Sequence, residues 1–223
     1  MTTDRARLVV LASGGGTNLQ AILSACGSDT IHADVVAVIS DRAGAGALER
    51  ARSRGVPALH LDPRTAPDRR TFDASLATLV ASYEPTFVVL AGWMRVLSGD
   101  FLTRFPDRVL NLHPARPGEL PGMHAIERAF AEYRAGARTS SGVMVHTVPD
   151  ERVDAGPVLA TIDVHIEPTD TLDSFEQRMH AAEHVLLVEV LASLCAPTAP
   201  TEPTPPTPPT APTVNHPNTE ASS

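Results

Sequence analysis

Asn111 and His113 stand two residues apart at the end of a short apolar run, and both side chain types can assist acyl transfer. The run, Arg108–His113, is typical of a strand, in which residues two apart point to the same side. An amide can donate a hydrogen bond to an oxyanion, and an imidazole can move a proton near neutral pH. We therefore take Asn111 and His113 as catalytic candidates, beside the alternative that they form a purely structural pair.

Asp154 is a third candidate, in the stretch Val-Asp-Ala-Gly-Pro. A carboxylate beside His113 would orient the ring, stabilise its charged form or hold a water for proton transfer. The same stretch is also a good turn sequence, which needs no catalytic role. Sequence spacing alone does not bring Asp154 to His113, so this assignment depends on the fold.

A glycine-rich stretch, Ser-Gly-Gly-Gly-Thr-Asn at 13–18, lies between the first apolar run and the first helical pattern. Glycines allow a sharp turn and a close approach to a ligand, and a helix N-terminus attracts anions. Thr17 or Asn18 is expected to cap that helix or to touch the anion. The spacing matches neither a dinucleotide fingerprint nor a Walker loop, so it indicates a phosphate monoester. A tight turn without a ligand is the alternative.

The last helical pattern contains His180, Glu183 and His184 in the order His-Ala-Ala-Glu-His. Two histidines four residues apart share a helix face and could bind zinc, with the glutamate as a base. No third ligand has a supporting pattern, and an ordinary core stripe runs along the same helix. We therefore expect no metal here and regard the motif as a rim patch or as part of a ligand cleft.

The elements that must position these residues alternate between short apolar runs and amphipathic helical patterns. Predicted strands cover Arg7–Ala12, Asp34–Ser40, Thr86–Ala91, Arg108–His113, Gly142–Val148 and Pro157–Ile166. Helical spacing runs through residues 19–26, 72–83 and 171–194. This alternation predicts an α/β fold with a mostly parallel, Rossmann-like sheet and helices on both faces. The last two strands have no long helix between them, so part of the second half is expected to be antiparallel.

Composition excludes several classes of function. The chain has 223 residues, 43% of them apolar, and a net charge of −8, which disfavours a nucleic-acid surface. All 18 basic residues are arginine, so no lysine can act as a nucleophile. The two cysteines, Cys26 and Cys195, lie in no motif. No stretch has the length of a signal or membrane segment, and we expect a cytoplasmic protein with no membrane partner.

The C-terminal stretch differs from the rest of the chain. Nine of its 28 residues, 196–223, are proline, and only Val214 is a large apolar residue. Proline removes backbone donors, and such a composition builds no core. We predict one domain over 1–195 and a disordered Pro/Thr-rich tail over 196–223, with a proline-rich ligand for a partner domain as the less favoured function.

The motifs in their order resemble those of phosphoribosylglycinamide formyltransferase, a folate-dependent enzyme family of purine synthesis. The resemblance rests on ASGGGTNLQAIL, LAGWMRVLS, VLNLHPA with PGMHAIERAF, GVMVHTV, VDAGPVLA and HAAEH. It covers residues 7–194 and implies the formyltransferase fold, with a phosphate-binding first half and a folate cleft formed with the second half. It also implies small-molecule substrates, with 10-formyltetrahydrofolate as co-substrate, and a monomer or homodimer.

The resemblance assigns roles residue by residue. Asn111, His113 and Asp154 form the implied catalytic set. The nucleotide substrate is implied to meet Gly15, Gly16, Thr17, Asn18 and Glu183. The folate is implied to lie against Met94, Arg95, Val96, Leu97 and Asn111, with Arg69 near the phosphate or the folate tail. Arg64 and Arg70 compete with Arg69 for that position.

Three departures from the family pattern affect substrate binding rather than the catalytic set. The loop after His113 reads Pro-Ala-Arg-Pro-Gly over residues 114–118, where the family often has Pro-Ser-Leu-Leu-Pro. His180 stands where relatives carry a Gln or Lys that reaches the phosphate, and Met144 replaces a small hydroxyl residue.

The open alternatives are a 10-formyltetrahydrofolate hydrolase, a methionyl-tRNA formyltransferase-like enzyme, and a catalytically silent phosphate-ligand module. The tail has no basic residue other than His216, which disfavours tRNA.

Overall fold

The fold is built around a seven-stranded sheet. The computed structural model describes residues 5–197. The strands are β1 Ala6–Leu11, β2 Ala33–Ser40, β3 Ala58–His60, β4 Phe87–Leu90, β5 Val109–His113, β6 Ser140–Thr147 and β7 Val158–His165. Their order across the sheet is β3-β2-β1-β4-β5-β6-β7.

The sheet is parallel from β3 to β5 and antiparallel beyond it. β1 is paired with β2 on one side and with β4 on the other, so the strand order reverses between β1 and β4. In an open α/β sheet a crevice forms at such a reversal, outside the carboxyl ends of the strands. The expected mixture of parallel and antiparallel strands is confirmed.

Helices cover both faces of the sheet. They are α1 Thr17–Gly27, α2 Gly46–Ser53, α3 Arg69–Ala81, α4 Gly99–Arg104, α5 Ala125–Arg134 and α6 Leu172–Leu194, with one 3-10 turn at Pro63–Thr65. Apolar residues of α1, α2, α5 and α6 fill the core on one face, and those of α3 and α4 fill it on the other. The α/β fold class with helices on both faces is therefore confirmed.

Helix α6 shows how the sequence sets a helix boundary and a buried face. The Thr171 hydroxyl accepts from the Ser174 N–H at 3.2 Å, and the Ser174 hydroxyl accepts from the Thr171 N–H at 3.0 Å. This reciprocal capping box starts the helix. Met179, Glu183 and Leu186 are all buried because they recur at helical spacing on the face that packs inward. A carboxylate is thereby placed inside an apolar stripe.

The predicted boundaries are close to the observed ones, and some elements were missed. The sequence pattern did not indicate β3, α2, α4 or α5. The prediction that Thr17 or Asn18 caps α1 is wrong, because Gly16 occupies the N-cap position. None of the helices within residues 5–197 combines the length and the apolar composition that a membrane span requires. The predicted tail, apart from residues 196 and 197, lies outside the described residues.

Candidate active site

A cleft of about 840 Å³ opens at the carboxyl edge of the parallel strands. Its walls come from the segment after β1, the segment after β4, the end of β5, the β6–β7 loop and α6. Ten residues singled out from the sequence line it: Asn18, Met94, Arg95, Val96, Leu97, Asn111, His113, Asp154, His180 and Glu183. Gly15, Gly16 and Thr17 lie beside it in the β1–α1 turn, and Arg69 lies outside its lining.

Asp154 lies directly against Asn111 and His113. The Asn111 Nδ2 donates to Asp154 Oδ1 at 3.0 Å, and His113 Nδ1 lies 3.3 Å from Asp154 Oδ2. The Gly122 N–H donates to the same Oδ2 at 2.8 Å. The fold therefore gathers an amide, an imidazole and a carboxylate from positions up to 43 residues apart. Their catalytic roles remain a prediction.

The loop between β6 and β7 makes this contact possible. β6 pairs antiparallel with β5, which sets His146 opposite Asn111 and sends the chain back past the end of the parallel strands. A Cβ on Gly156 would lie 1.8 Å from the Thr147 carbonyl oxygen, so only glycine fits the return of the loop. Asp154 itself adopts a left-handed backbone with φ 52°, a conformation in which Asp is enriched among non-glycine residues.

The buried environment sets the charge states of Asp154 and His113. Burial alone raises the pKa of Asp154, but the His146 side chain, the Gly122 N–H and the neighbouring imidazoles outweigh it, and the pKa falls below its usual value. Burial lowers the pKa of His113, and the Asp154 charge and the Leu120 carbonyl oppose this only in part. The resting site therefore contains a carboxylate next to a neutral imidazole at neutral pH.

His113 has an acceptor at each ring nitrogen. Nδ1 faces Asp154, and Nε2 lies 3.0 Å from the Leu120 carbonyl oxygen. A neutral imidazole carries one N–H and satisfies only one of these acceptors, whereas an imidazolium satisfies both. The site is therefore arranged to accept a second proton on His113 when a reaction supplies it.

His146 belongs to the same network, although the sequence pattern does not indicate it. Its Nε2 lies 3.1 Å from Asn111 Nδ2 and 3.6 Å from Asp154 Oδ1, and its Nδ1 lies 2.9 Å from the Thr147 carbonyl oxygen. A neutral ring that donates from Nδ1 to the carbonyl leaves Nε2 to accept from Asn111. The available signal was a histidine in an otherwise apolar strand, where it is 1% exposed.

The β1–α1 turn presents the start of α1 beside the cleft. Gly16 has φ 76°, and a Cβ there would lie 2.6 Å from Ala47 Cα, so the third glycine is required by packing against α2. Gly15 and Thr17 are exposed. The first-turn N–H groups of α1 have no acceptor within the helix, which suits an anion at this position.

Asn18, Glu183 and His180 form a polar cluster at the same end of the cleft. Glu183 is 5% exposed, and its Oε2 accepts from His180 Nδ1 at 2.7 Å and from Asn18 Nδ2 at 3.4 Å. The hydrogen bond to Glu183 and its charge raise the pKa of His180, against a smaller effect of burial. Within residues 5–197 no group of three or more His, Cys, Asp or Glu side chains is arranged to hold a metal ion.

The segment after β4 forms an apolar wall of the cleft. Met94 and Val96 are 52% and 39% exposed although they are large and apolar, while Leu97 is buried. The Met94 N–H donates to Ser13 Oγ at 3.0 Å, which fixes this segment to the end of β1. Arg95 stacks on the Phe72 ring, with its Cζ 5.0 Å from the ring centroid. A flat apolar ligand would cover the exposed surface.

The three competing arginines all pair with carboxylates. Arg69 Nη2 lies 2.5 Å from Glu151 Oε2. Arg64 pairs with Asp62, and Arg70 pairs with Asp100. Of the six residues, Glu151 is the one that lines the cleft. Arg69 is therefore connected to the cleft through the β6–β7 loop.

The loop after His113, residues 114–118, differs from the family pattern and makes hydrogen bonds to the antiparallel strands β6 and β7. Ala115 is fully buried, and the Arg116 guanidinium donates to Asp163 Oδ1 at 2.7 Å and to Ser140 Oγ at 2.9 Å. Met144 is 1% exposed and pairs with His113 in the β5–β6 ladder. These departures from the family pattern therefore serve packing at the base of the site.

The fold and the cleft together define an α/β enzyme that binds small molecules at the carboxyl edge of its sheet. Comparison with known proteins identifies the family. The family model described as formyl transferase matches residues 6–191. The phosphoribosylglycinamide formyltransferase of Dictyostelium discoideum is 42% identical over 201 residues, which cover 84% of this chain and 97% of that protein. Its counterpart from Escherichia coli K12 is 37% identical over 185 residues, covering 83% of this chain and 85% of that protein.

Solved structures agree with the sequence comparison. The crystal structure of glycinamide ribonucleotide transformylase 1 from Symbiobacterium toebii superposes with a TM-score of 0.81 at 41% identity, covering 86% of this chain and 88% of that chain. The chain belongs to the formyl transferase family. The resemblance that the ordered motifs indicate is confirmed.

Proposed function

We propose that this chain transfers the formyl group of 10-formyltetrahydrofolate to the amine of glycinamide ribonucleotide, in de novo purine biosynthesis. The observation that carries the proposal is the contact of Asp154 with Asn111 and His113 inside a cleft that also reaches Asn18 and Glu183. The relatives that bear the name of this activity support the choice of substrates. We expect the enzyme in the cytoplasm, as a monomer or homodimer.

The nucleotide would occupy the end of the cleft next to α1. Its phosphate would accept hydrogen bonds from the backbone at Gly15, Gly16 and Thr17 and from the side chains of Thr17 and Asn18. Glu183 would hold the glycyl amine or the ribose, since its buried carboxylate already accepts from Asn18. A neutral amine that donates to this carboxylate would be oriented toward the catalytic set with its lone pair free to attack.

The folate would occupy the apolar end. Its pterin would lie against Met94 and Val96, whose exposed side chains offer a surface for a flat ring. The backbone from Met94 to Leu97 would supply hydrogen bonds, and Asn111 would reach the formyl group. Arg69 could meet the folate tail only after leaving Glu151.

The amine would attack the formyl carbon to form a new C–N bond, and negative charge would grow on the formyl oxygen. Asn111 would donate to that oxygen, and His113 would donate through Nε2, which must first leave the Leu120 carbonyl. Both Asn111 amide hydrogens are directed at Asp154 and His146 in the resting site, so one must turn to the oxyanion. One such donor typically contributes about 3–4 kcal/mol to the barrier.

The bond from the formyl carbon to the folate nitrogen would then break, and a proton must pass from the amine to the departing nitrogen. Asp154 would favour the imidazolium of His113 and hold the water that carries this proton. Neither step needs a covalent bond to the enzyme, because both substrates meet in one cleft. Alignment of the two substrates would supply the largest share of the barrier reduction, about 7–11 kcal/mol in a well-ordered site.

The proposal is tested by following tetrahydrofolate release spectrophotometrically, with and without glycinamide ribonucleotide. Release that requires the nucleotide is the expected result. Release without it would identify a hydrolase, and no release under either condition would identify a silent binding module. Either of the last two results contradicts the proposed function.

A further inference from the structure

The loop that carries Asp154 is anchored to the body of the protein at two places. We call residues 148–157 the Asp154 loop. One anchor is Asp154 itself, which receives hydrogen bonds from Asn111 and Gly122. The other is Glu151, three residues earlier, on the opposite side of the loop.

Glu151 connects the Asp154 loop to two helices. Its Oε2 lies 2.5 Å from Arg69 Nη2 at the start of α3, and its Oε1 accepts from the Gly99 N–H at 2.8 Å at the start of α4. The Gly99 N–H and the Arg69 guanidinium lower the pKa of Glu151, so it remains ionised. One carboxylate therefore bridges the loop, α3 and α4.

The other charged pair of the loop makes no such connection. Arg152 donates to both oxygens of Asp150, and this pair lies within the loop. A second pair, Arg70 with Asp100, connects α3 to α4 but does not touch the loop. Glu151 is thus distinguished by its position between the loop and the helices, and the Arg70–Asp100 pair provides a matched control.

We propose that Glu151, held by Arg69 and the Gly99 N–H, is a positioning residue that keeps Asp154 in register with His113. Arg69 and Glu151 are both nearly half exposed, and such a pair adds little to global stability. Its effect is instead on a short loop whose catalytic carboxylate must stay within reach of the Asn111 and His113 side chains and the Gly122 N–H. Misplacement of a catalytic group by about 1 Å can cost about 100-fold in rate. The proposal rests on the proposed function, in which Asp154 acts in proton transfer.

This role differs from a direct contact between Arg69 and the folate tail. If Arg69 binds the folate, Glu151→Ala frees the guanidinium, and the KM for folate falls or stays constant. If the pair positions Asp154, Glu151→Ala and Arg69→Ala both lower kcat. The KM for the nucleotide should stay constant in both variants, because Asn18 and Glu183 bind at the other end of the cleft.

The test measures kcat and both KM values for the wild type, Glu151→Ala, Glu151→Gln, Arg69→Ala and the control Asp100→Ala. We expect kcat to fall about 10-fold to 150-fold in Glu151→Ala, the factor that corresponds to one hydrogen bond to a charged group, to which the half-exposed ion pair adds little. Glu151→Gln retains an acceptor for Gly99 and should fall less. Asp100→Ala should stay within about twofold of the wild type. A kcat for Glu151→Ala equal to that of Asp100→Ala would overturn the proposal.

Two further variants separate positioning from a general loss of structure. Arg69→Ala combined with Glu151→Ala should be no slower than Glu151→Ala alone, because the pair acts as a unit. The charge swap, Arg69→Glu with Glu151→Arg, should recover part of the lost kcat. Additive losses together with no recovery would contradict a paired role. Nucleotide-dependent release by the wild type is measured first, so failure of the proposed function is distinguished from failure of this inference.

Discussion

Replacing Asp154 by asparagine removes a charge while keeping the shape of the side chain, and it tests the core of the site. The carboxylate accepts from the Gly122 N–H through Oδ2, which also lies 3.3 Å from His113 Nδ1, and from Asn111 through Oδ1. An amide nitrogen at either position faces a donor, so at least one hydrogen bond to a charged group is lost. The free energy of unfolding should fall by about 1.5–3 kcal/mol, and the melting temperature by about 3–12 °C.

The effect on rate should be much larger than the effect on stability. An asparagine cannot favour the imidazolium of His113 or accept a proton, and such assistance is worth about 100- to 10,000-fold. The assay is nucleotide-dependent tetrahydrofolate release at a temperature well below the melting point of Asp154→Asn. Nucleotide affinity should be unchanged, and it can be followed by the fluorescence of Trp93, the only tryptophan, which lines the cleft. Turnover within tenfold of the wild type would refute the role of Asp154.

Three further predictions concern other parts of the molecule. Gly16→Ala should lower the free energy of unfolding by about 2–5 kcal/mol in urea titrations, because φ is 76° and the new Cβ meets Ala47; an unchanged midpoint would contradict this. The raised pKa of His180 beside Glu183 implies a stabilising contribution that is complete below about pH 6.5 and is lost as pH rises through the folded pKa. The stability difference between wild type and His180→Gln, under about 1 kcal/mol, should therefore shrink on going to alkaline pH, and a growing difference would reverse the assignment. Burial raises the pKa of Cys26 to about 11, so an aromatic disulfide reagent should modify it slowly at neutral pH, and rapid labelling would contradict this.

The fold was largely predictable from local patterns, with identifiable exceptions. Apolar runs such as those of β1 and β4 stand out because both faces of these strands are buried. Helix α2 was not predicted because two of its three buried residues are small and give little periodic signal. These buried residues are Ala47, Leu48 and Ala51. Strand β3 has three residues, too few to show alternation.

The site was predictable only in part. Asn111 and His113 share one strand end, so their proximity follows from the spacing of two residues. The contact with Asp154 depends on an antiparallel return strand and on the tight turn at Gly156, neither of which is a local property. His146 was missed because a lone histidine in a strand is usually structural, and its partner Asn111 is opposite only in the actual register.

The most direct test of the account is a crystal structure with glycinamide ribonucleotide and a folate analogue that carries a stable carbonyl in place of the formyl group. We expect the phosphate at the start of α1 and the carbonyl oxygen about 3 Å from Asn111 Nδ2 and His113 Nε2, with Asp154 beside the amine. A carbonyl bound away from Asn111 and His113, with the amine out of reach of its carbon, would contradict formyl transfer at this site.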